Sequence, residues 1–262
     1  MGPPSTDAGA TADESIVAEI HGVFDSLPKV FESMREAGEL QRHWPGIRSV
    51  LVEPEPLTPA VVQALFRVYS LRCSNHYCFV LHSLSLAKLL GAPDSTRVTL
   101  AELGRVFELP ANQPEAERWG RVLRLAWLSQ RAGPQRDAAE HLLRQLCSPE
   151  EHERILAVHT ANQTLNRFTI AHRLTLADEP MIETFPSELQ ALIPEFVQFY
   201  MREHDEGQPR PVSSMCSMCR SVRSTDARWY PYDAARELLV EGALFSHGLC
   251  PACLEAEGLD ID

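Results

Sequence analysis

Two groups of residues in this chain have the types and spacing to do chemistry. The first is Cys78 and His82, a thiol and an imidazole four residues apart in "HYCFVLHSLSLAKLLG". Positions i and i+4 share a helix face, so the ring would stand one turn from the sulfur, able to orient or deprotonate it. The second group is Cys216-x-x-Cys219 followed, after thirty residues, by Cys250-x-x-Cys253. Paired knuckles of this kind let four thiolates converge tetrahedrally, the geometry a structural zinc ion prefers. One zinc per chain is therefore expected, on Cys216, Cys219, Cys250 and Cys253. A closed four-thiolate shell leaves no open position for catalysis; the alternative is a pair of redox-active dithiols passing electrons to Cys78.

Other readings of the first group stay open. Cys73 precedes Cys78 by five residues, which places it about 140° around a helix. It could resolve an oxidised Cys78 only across a break in the helix, which "SNH" permits. Cys73, His76, Cys78 and His82 could instead bind a metal, although their spacing matches no common ligand frame. Cys78 could equally be a small buried hydrophobe, and His82 a core histidine. Cys147, at a helix end, reads as packing.

These groups need elements to hold them. From about Glu14 to His204 nearly every segment has helical periodicity and no strand pattern competes, so an all-α domain is expected over 14–204. Thr58 and Pro59 form an N-cap and first helical residue, and Gly91 is a natural helix stop. Ser148 and Glu151 form a capping box that launches "EEHERILAVHTANQTLNRFTIAHRL". In that helix Thr160, Asn162, Thr164 and Asn166 read as a polar stripe, a site wall or subunit contact, and Arg167 as an ion-pair partner. "SELQALIPEFVQFYMREH" reads as one last helix bent at Pro194.

Residues 1–13 read as a disordered leader without the basic and apolar regions of a secretory signal. Residues 205–214, with two prolines and a glycine, read as a linker. Residues 215–262 form the cysteine module, in the order knuckle, hairpin, helix (roughly Asp233 to Val240), knuckle, which is treble-clef-like or zinc-ribbon-like. His247 reads as a surface or supporting residue, because four cysteines already fill the shell.

The chain has 262 residues, 44% of them hydrophobic, with seven cysteines and a net charge of −12. The charge argues against non-specific nucleic-acid binding. An odd cysteine count fits reduced thiols or metal ligands better than a disulfide scaffold. No apolar run approaches the roughly 18 residues of a membrane helix, and a cytoplasmic address is expected.

Two resemblances add to this. "LTPAVVQALFRVYSLRCSNHYCFVLHSLSLAKLLG" and "SPEEHERILAVHTANQTLNRF" resemble the core helices of the alkyl hydroperoxidase D-like, or carboxymuconolactone decarboxylase, superfamily, over most of Glu14 to Leu176. The resemblance implies an AhpD-like helical fold, association as trimers or higher rings, and a peroxidase site of glutamate, paired cysteines and histidine. Carried over by position, Cys78 and His82 are kept. Asn75 stands for the first cysteine and Gln63 for the glutamate. Gln63 cannot act as a general base, and Asn75 reads as a helix cap. The text "CSMCRSVR…RWYP…FSHGLCPAC" resembles a small cysteine module at the ends of bacterial signalling proteins, which implies contact with a protein partner.

The function expected from this is a divergent thiol-dependent peroxidase-like oxidoreductase using a single Cys78–His82 site. The alternative is a catalytically silent sensory or scaffold protein that binds a small molecule or a partner, with the zinc module engaging that partner.

Overall fold

The structure is a computed structural model, and it describes residues 7–71, 76–92, 98–130, 134–177, 179–207, 212–216, 219, 221–223, 228–231, 244–248 and 250–256. The chain divides into two compact units, Met1–His204 and Asp205–Asp262.

Every regular element in the described part of the first unit is a helix. Its elements are α1 (Asp7–Phe24), α2 (Lys29–Glu36), α3 (Leu40–Leu51), α4 (Pro59–Ser70), α5 (Tyr77–Leu89) and α6 (Leu100–Leu103). They continue with α7 (Ala116–Leu128), α8 (Pro134–Leu146), α9 (Pro149–Ala171), α10 (Pro180–Glu183), α11 (Ser187–Gln190) and α12 (Ile193–Gly207). α1 begins inside the segment expected to be a disordered leader. "DAGATADES" supplies alanines, the best helix formers, and an acidic run suited to a first turn.

α4 and α5 are the hydrophobic centre. Of α4, every residue from Ala60 to Ser70 is buried except Gln63, and α5 is buried from Tyr77 to Leu81. A helix apolar on most of its faces must be surrounded. α4 packs against α5, α7 and α9, and α9 also packs against α2 and α3. Local signals set the ends. The Thr58 side chain accepts from the Val61 N–H at the start of α4, and Ser148 and Glu151 form both halves of their capping box. Gly91 takes φ +77 just past α5, a backbone that favours glycine.

The sequence around Pro194 behaves differently from expectation. Two helices form, α11 and α12, and Pro194 is the second residue of α12. A proline's missing N–H is harmless in a first turn and costly in an interior, so the helix restarts there instead of bending.

The second unit holds a four-stranded sheet of β1 (Val212–Cys216), β2 (Val222–Arg223), β3 (Trp229–Tyr230) and β4 (Leu244–Gly248), in the order β3-β2-β1-β4. β1 pairs antiparallel with β2, Met215 opposite Val222, and parallel with β4, Cys216 opposite Gly248. A short helix, Pro251–Ala256, follows the second knuckle. The segment read as a linker is regular at both ends, since α12 runs to Gly207 and β1 starts at Val212. The helix expected from about Asp233 to Val240 lies outside the described residues. No described helix is long and apolar enough to cross a membrane.

Candidate functional sites

The four cysteines of the second unit come together. Their sulfurs all lie within 4.8 Å of one another, and Cys219 Sγ is 3.6 Å from Cys250 Sγ. Four Zn–S bonds of about 2.3 Å in a tetrahedron put sulfurs about 3.75 Å apart, so the spacing fits a metal ion such as zinc. The hairpin of β1 and β2 presents Cys216 and Cys219; the turn into the terminal helix presents Cys250 and Cys253. The Cys250 N–H donates to Cys216 Sγ at 3.4 Å, and Cys219 Sγ lies 3.2 Å from Ser221 Oγ. Such bonds offset the charge that gathers on ligating sulfurs. Among the described residues this is the group of histidine, cysteine and acidic side chains that could hold a metal. His247 sits in β4 opposite Met215; its side chain lies outside what the structure describes.

In the helical unit, Cys78 and His82 line one small cavity of about 40 Å³. Cys78 is the second residue of α5, buried to 3% exposure. Its sulfur is 3.5 Å from the Thr169 hydroxyl of α9, which in turn donates to Leu165 O. His82 is held by a different partner. Its Nδ1 lies 2.7 Å from Gln63 Oε1, and its ring stacks on Phe66 with centroids 4.3 Å apart. An amide oxygen only accepts, so Nδ1 carries the proton and Nε2 is left as an acceptor. Apart from the edge that faces the cavity, the ring is enclosed by protein, and this burial pushes its pKa down from 6.5 to about 3. The histidine is therefore neutral at physiological pH.

A pH dependence follows. Between pH 6.5 and 3 an unfolded chain protonates this histidine and the folded chain does not. Stability is complete above 6.5 and falls with pH, by about 1.4 kcal/mol per unit from this group. In urea titrations the stability difference between wild type and His82→Gln should drop at that slope from pH 6 to 4. A difference flat with pH would show that His82 is not held neutral.

The remaining expectations divide. Gln63 and His82 are brought together, across α4 and α5. Cys73 and Asn75 lie outside the described residues, and so does any metal set that includes Cys73. His76 occupies the N-cap position of α5 without a side-chain cap bond. The polar stripe of α9 is two half-stripes, because residues two apart are about 200° apart on a helix. Asn162 and Asn166 point inward: Asn162 donates to Phe66 O and Ser70 Oγ, and Asn166 donates to Asn162. Thr160 and Thr164 bond back to their own helix. Arg167 is exposed, with no ion pair among the described residues, and its guanidinium lies 5.4 Å from the Phe168 ring. Cys147 is buried, and that burial raises its thiol pKa.

The role of Glu179 is set by tertiary packing. The residue is 2% exposed, and its carboxylate accepts from the Tyr77 hydroxyl at 2.6 Å and the backbone N–H groups of Lys29 and Met181 at 3.2 and 3.1 Å. Burial, then the neighbouring Glu179, push the Tyr77 phenol well above its ordinary pKa, so it remains a donor. This network pins α2, α5 and α10 together one residue from Cys78. "EP" at 179–180 was a legible N-cap signal; the tyrosine it meets is 102 residues away. No protein-family model matches the chain, and none of the curated proteins or solved structures compared with it shows significant similarity.

Proposed function

We propose that this protein is a catalytically silent, AhpD-like binding protein, whose helical domain encloses a small-molecule pocket ending at Cys78 and His82. The observation that carries this is the His82–Gln63 bond. The position that would need an acid to relay protons holds an amide, which orients the ring and cannot take its proton. Cys78 lies 3.5 Å from the Thr169 hydroxyl, and His82 is held by Gln63. On this reading the thiol and the histidine share a cavity without forming a nucleophile–base pair.

The C-terminal module is read as a zinc-ribbon or treble-clef-like unit in which one structural zinc supplies most of the folding energy. A shell closed by four thiolates has no position for catalysis, which leaves the module's surface for a protein partner. Association of the helical domains as trimers or higher rings belongs to the same proposal and rests on the resemblance alone.

A second reading, the one-cysteine peroxidase, is favoured by one observation: Cys78 and His82 line the same cavity. In that reading a Cys78 thiolate attacks peroxide, and an external thiol reduces the sulfenic acid that results. Peroxide consumption in the presence of dithiothreitol separates the two. For a silent protein, wild type and Cys78→Ser give the same background rate. A rate that is at least tenfold higher for wild type and collapses in Cys78→Ser establishes the peroxidase and removes the proposal above.

A further inference from the structure

A surface cleft of about 250 Å³ adjoins the 40 Å³ cavity at Cys78. The two spaces share five wall residues, Phe24, Leu51, Gln63, Ser85 and Met181. They read as successive parts of one channel, with Gln63 and Ser85 in the wall of both. Both are among the few residues of the central helices that are not fully buried, as residues lining a passage would be.

The chemistry of the walls changes along the channel. At the inner end Phe31, Leu81 and Leu165 join the shared apolar residues, and the one nitrogen base, His82, is held neutral. This end rejects an ion, because an unpaired charge in an apolar enclosure is strongly disfavoured. The outer cleft is walled by Val23, Leu89 and Phe185, with Lys88 and Asp25 at its lips. Val23 and Leu89 are 37% and 52% exposed, a large apolar surface to leave in water. The Lys88 ammonium lies 5.6 Å from the Phe185 ring centre, and among the described residues it has no acidic partner within ion-pair distance. Asp25 would repel an anionic head, which leaves the Lys88 side of the mouth as its place.

The geometry points to a single-chain carboxylic acid as the ligand of this channel, tail inward and carboxylate at Lys88. An apolar cavity of about 150 Å³ accepts benzene, so the outer cleft takes a chain of about six to ten carbons, and the inner cavity takes its last one or two. The tail then ends against Cys78 and His82 without reacting. This inference rests on reading the helical domain as a binding domain, and it names the class of molecule bound.

The test uses the full-length, zinc-loaded chain and decanoate below its micelle concentration, with butyrate and decanol as comparators. Calorimetry should show decanoate binding at least about 100-fold more tightly than butyrate, since each buried methylene contributes about 0.8 kcal/mol. Lys88→Met, a change at an exposed position, should weaken decanoate about threefold, in line with an exposed charge pair, and leave decanol unchanged. The Met181 methyl resonance, which belongs to both parts of the channel, should shift on binding. Decanol binding while decanoate does not, or equal decanoate affinity in Lys88→Met, overturns the acid head. Decanoate binding with Met181 unmoved overturns the location, and no binding by either chain overturns the inference entirely. None of these results bears on peroxide turnover, so the binding-protein reading stands or falls separately on Cys78→Ser.

Discussion

Replacing Cys250 and Cys253 together by serine should abolish zinc binding and unfold the C-terminal module. The reason is what this module has to hold it together. Among its described side chains Cys216, Val222 and Cys250 are buried, and two of these three belong to the sulfur cluster. β2 and β3 are two residues each, and strands so short have little independent stability. Binding of a structural zinc by four thiolates supplies on the order of 10–16 kcal/mol in small zinc modules at neutral pH. The module's stability should therefore be nearly all metal binding.

Metal analysis should give about one zinc per wild-type chain and none in the double variant. The amide resonances of β1 to β4 should collapse to random-coil positions in that variant, and in wild type treated with a strong chelator. A module that keeps dispersed resonances with no metal bound would refute the zinc assignment. It would leave the closely spaced cysteines in need of another explanation, the dithiol reading first among them.

The second large effect is expected at Glu179, and in the helical unit. Glu179→Ala removes a buried carboxylate and strands three donors: the Tyr77 hydroxyl and the N–H groups of Lys29 and Met181. Each buried donor left without a partner costs about 1–3 kcal/mol. With three donors stranded, the loss should reach at least about 3 kcal/mol. For a domain of this size that should lower the Tm by about 10 °C. Glu179→Gln keeps an acceptor oxygen and should cost less than half as much. Thermal unfolding of the three proteins decides it. A shift under about 2 °C for Glu179→Ala would mean that water or a neighbouring group readily replaces the carboxylate.

Both effects concern sites of different legibility. The zinc ligands could be read from spacing alone, because a knuckle is local: two cysteines three residues apart converge on one point wherever the chain goes next. Helix ends were legible for the same reason. Thr58, Gly91 and the Ser148–Glu151 box act on backbone groups within four residues of themselves, and all three act as their local chemistry requires. Where local reading failed, the chain had two local solutions. Pro194 could bend one helix or start another, and the short helix Ser187–Gln190 followed by a restart is the solution that spares an interior hydrogen bond.

The candidate pocket was legible only in part. Cys78 and His82 announced themselves by type and spacing, and Gln63 by the position it fills. That Gln63 bonds His82 depends on how α4 meets α5, and that Cys78 bonds Thr169 depends on a helix 91 residues further on. Sequence determined which residues could do chemistry, where helices start and stop, and which four sulfurs gather. Tertiary structure alone decided which partner each polar group found: an amide for the histidine, a hydroxyl for the thiol, a tyrosine for Glu179. The reason is physical. Secondary structure and metal knuckles are set by interactions within a turn or two of chain. Protonation state and polar partnership are set by burial and by whatever packing brings alongside, from anywhere in the sequence.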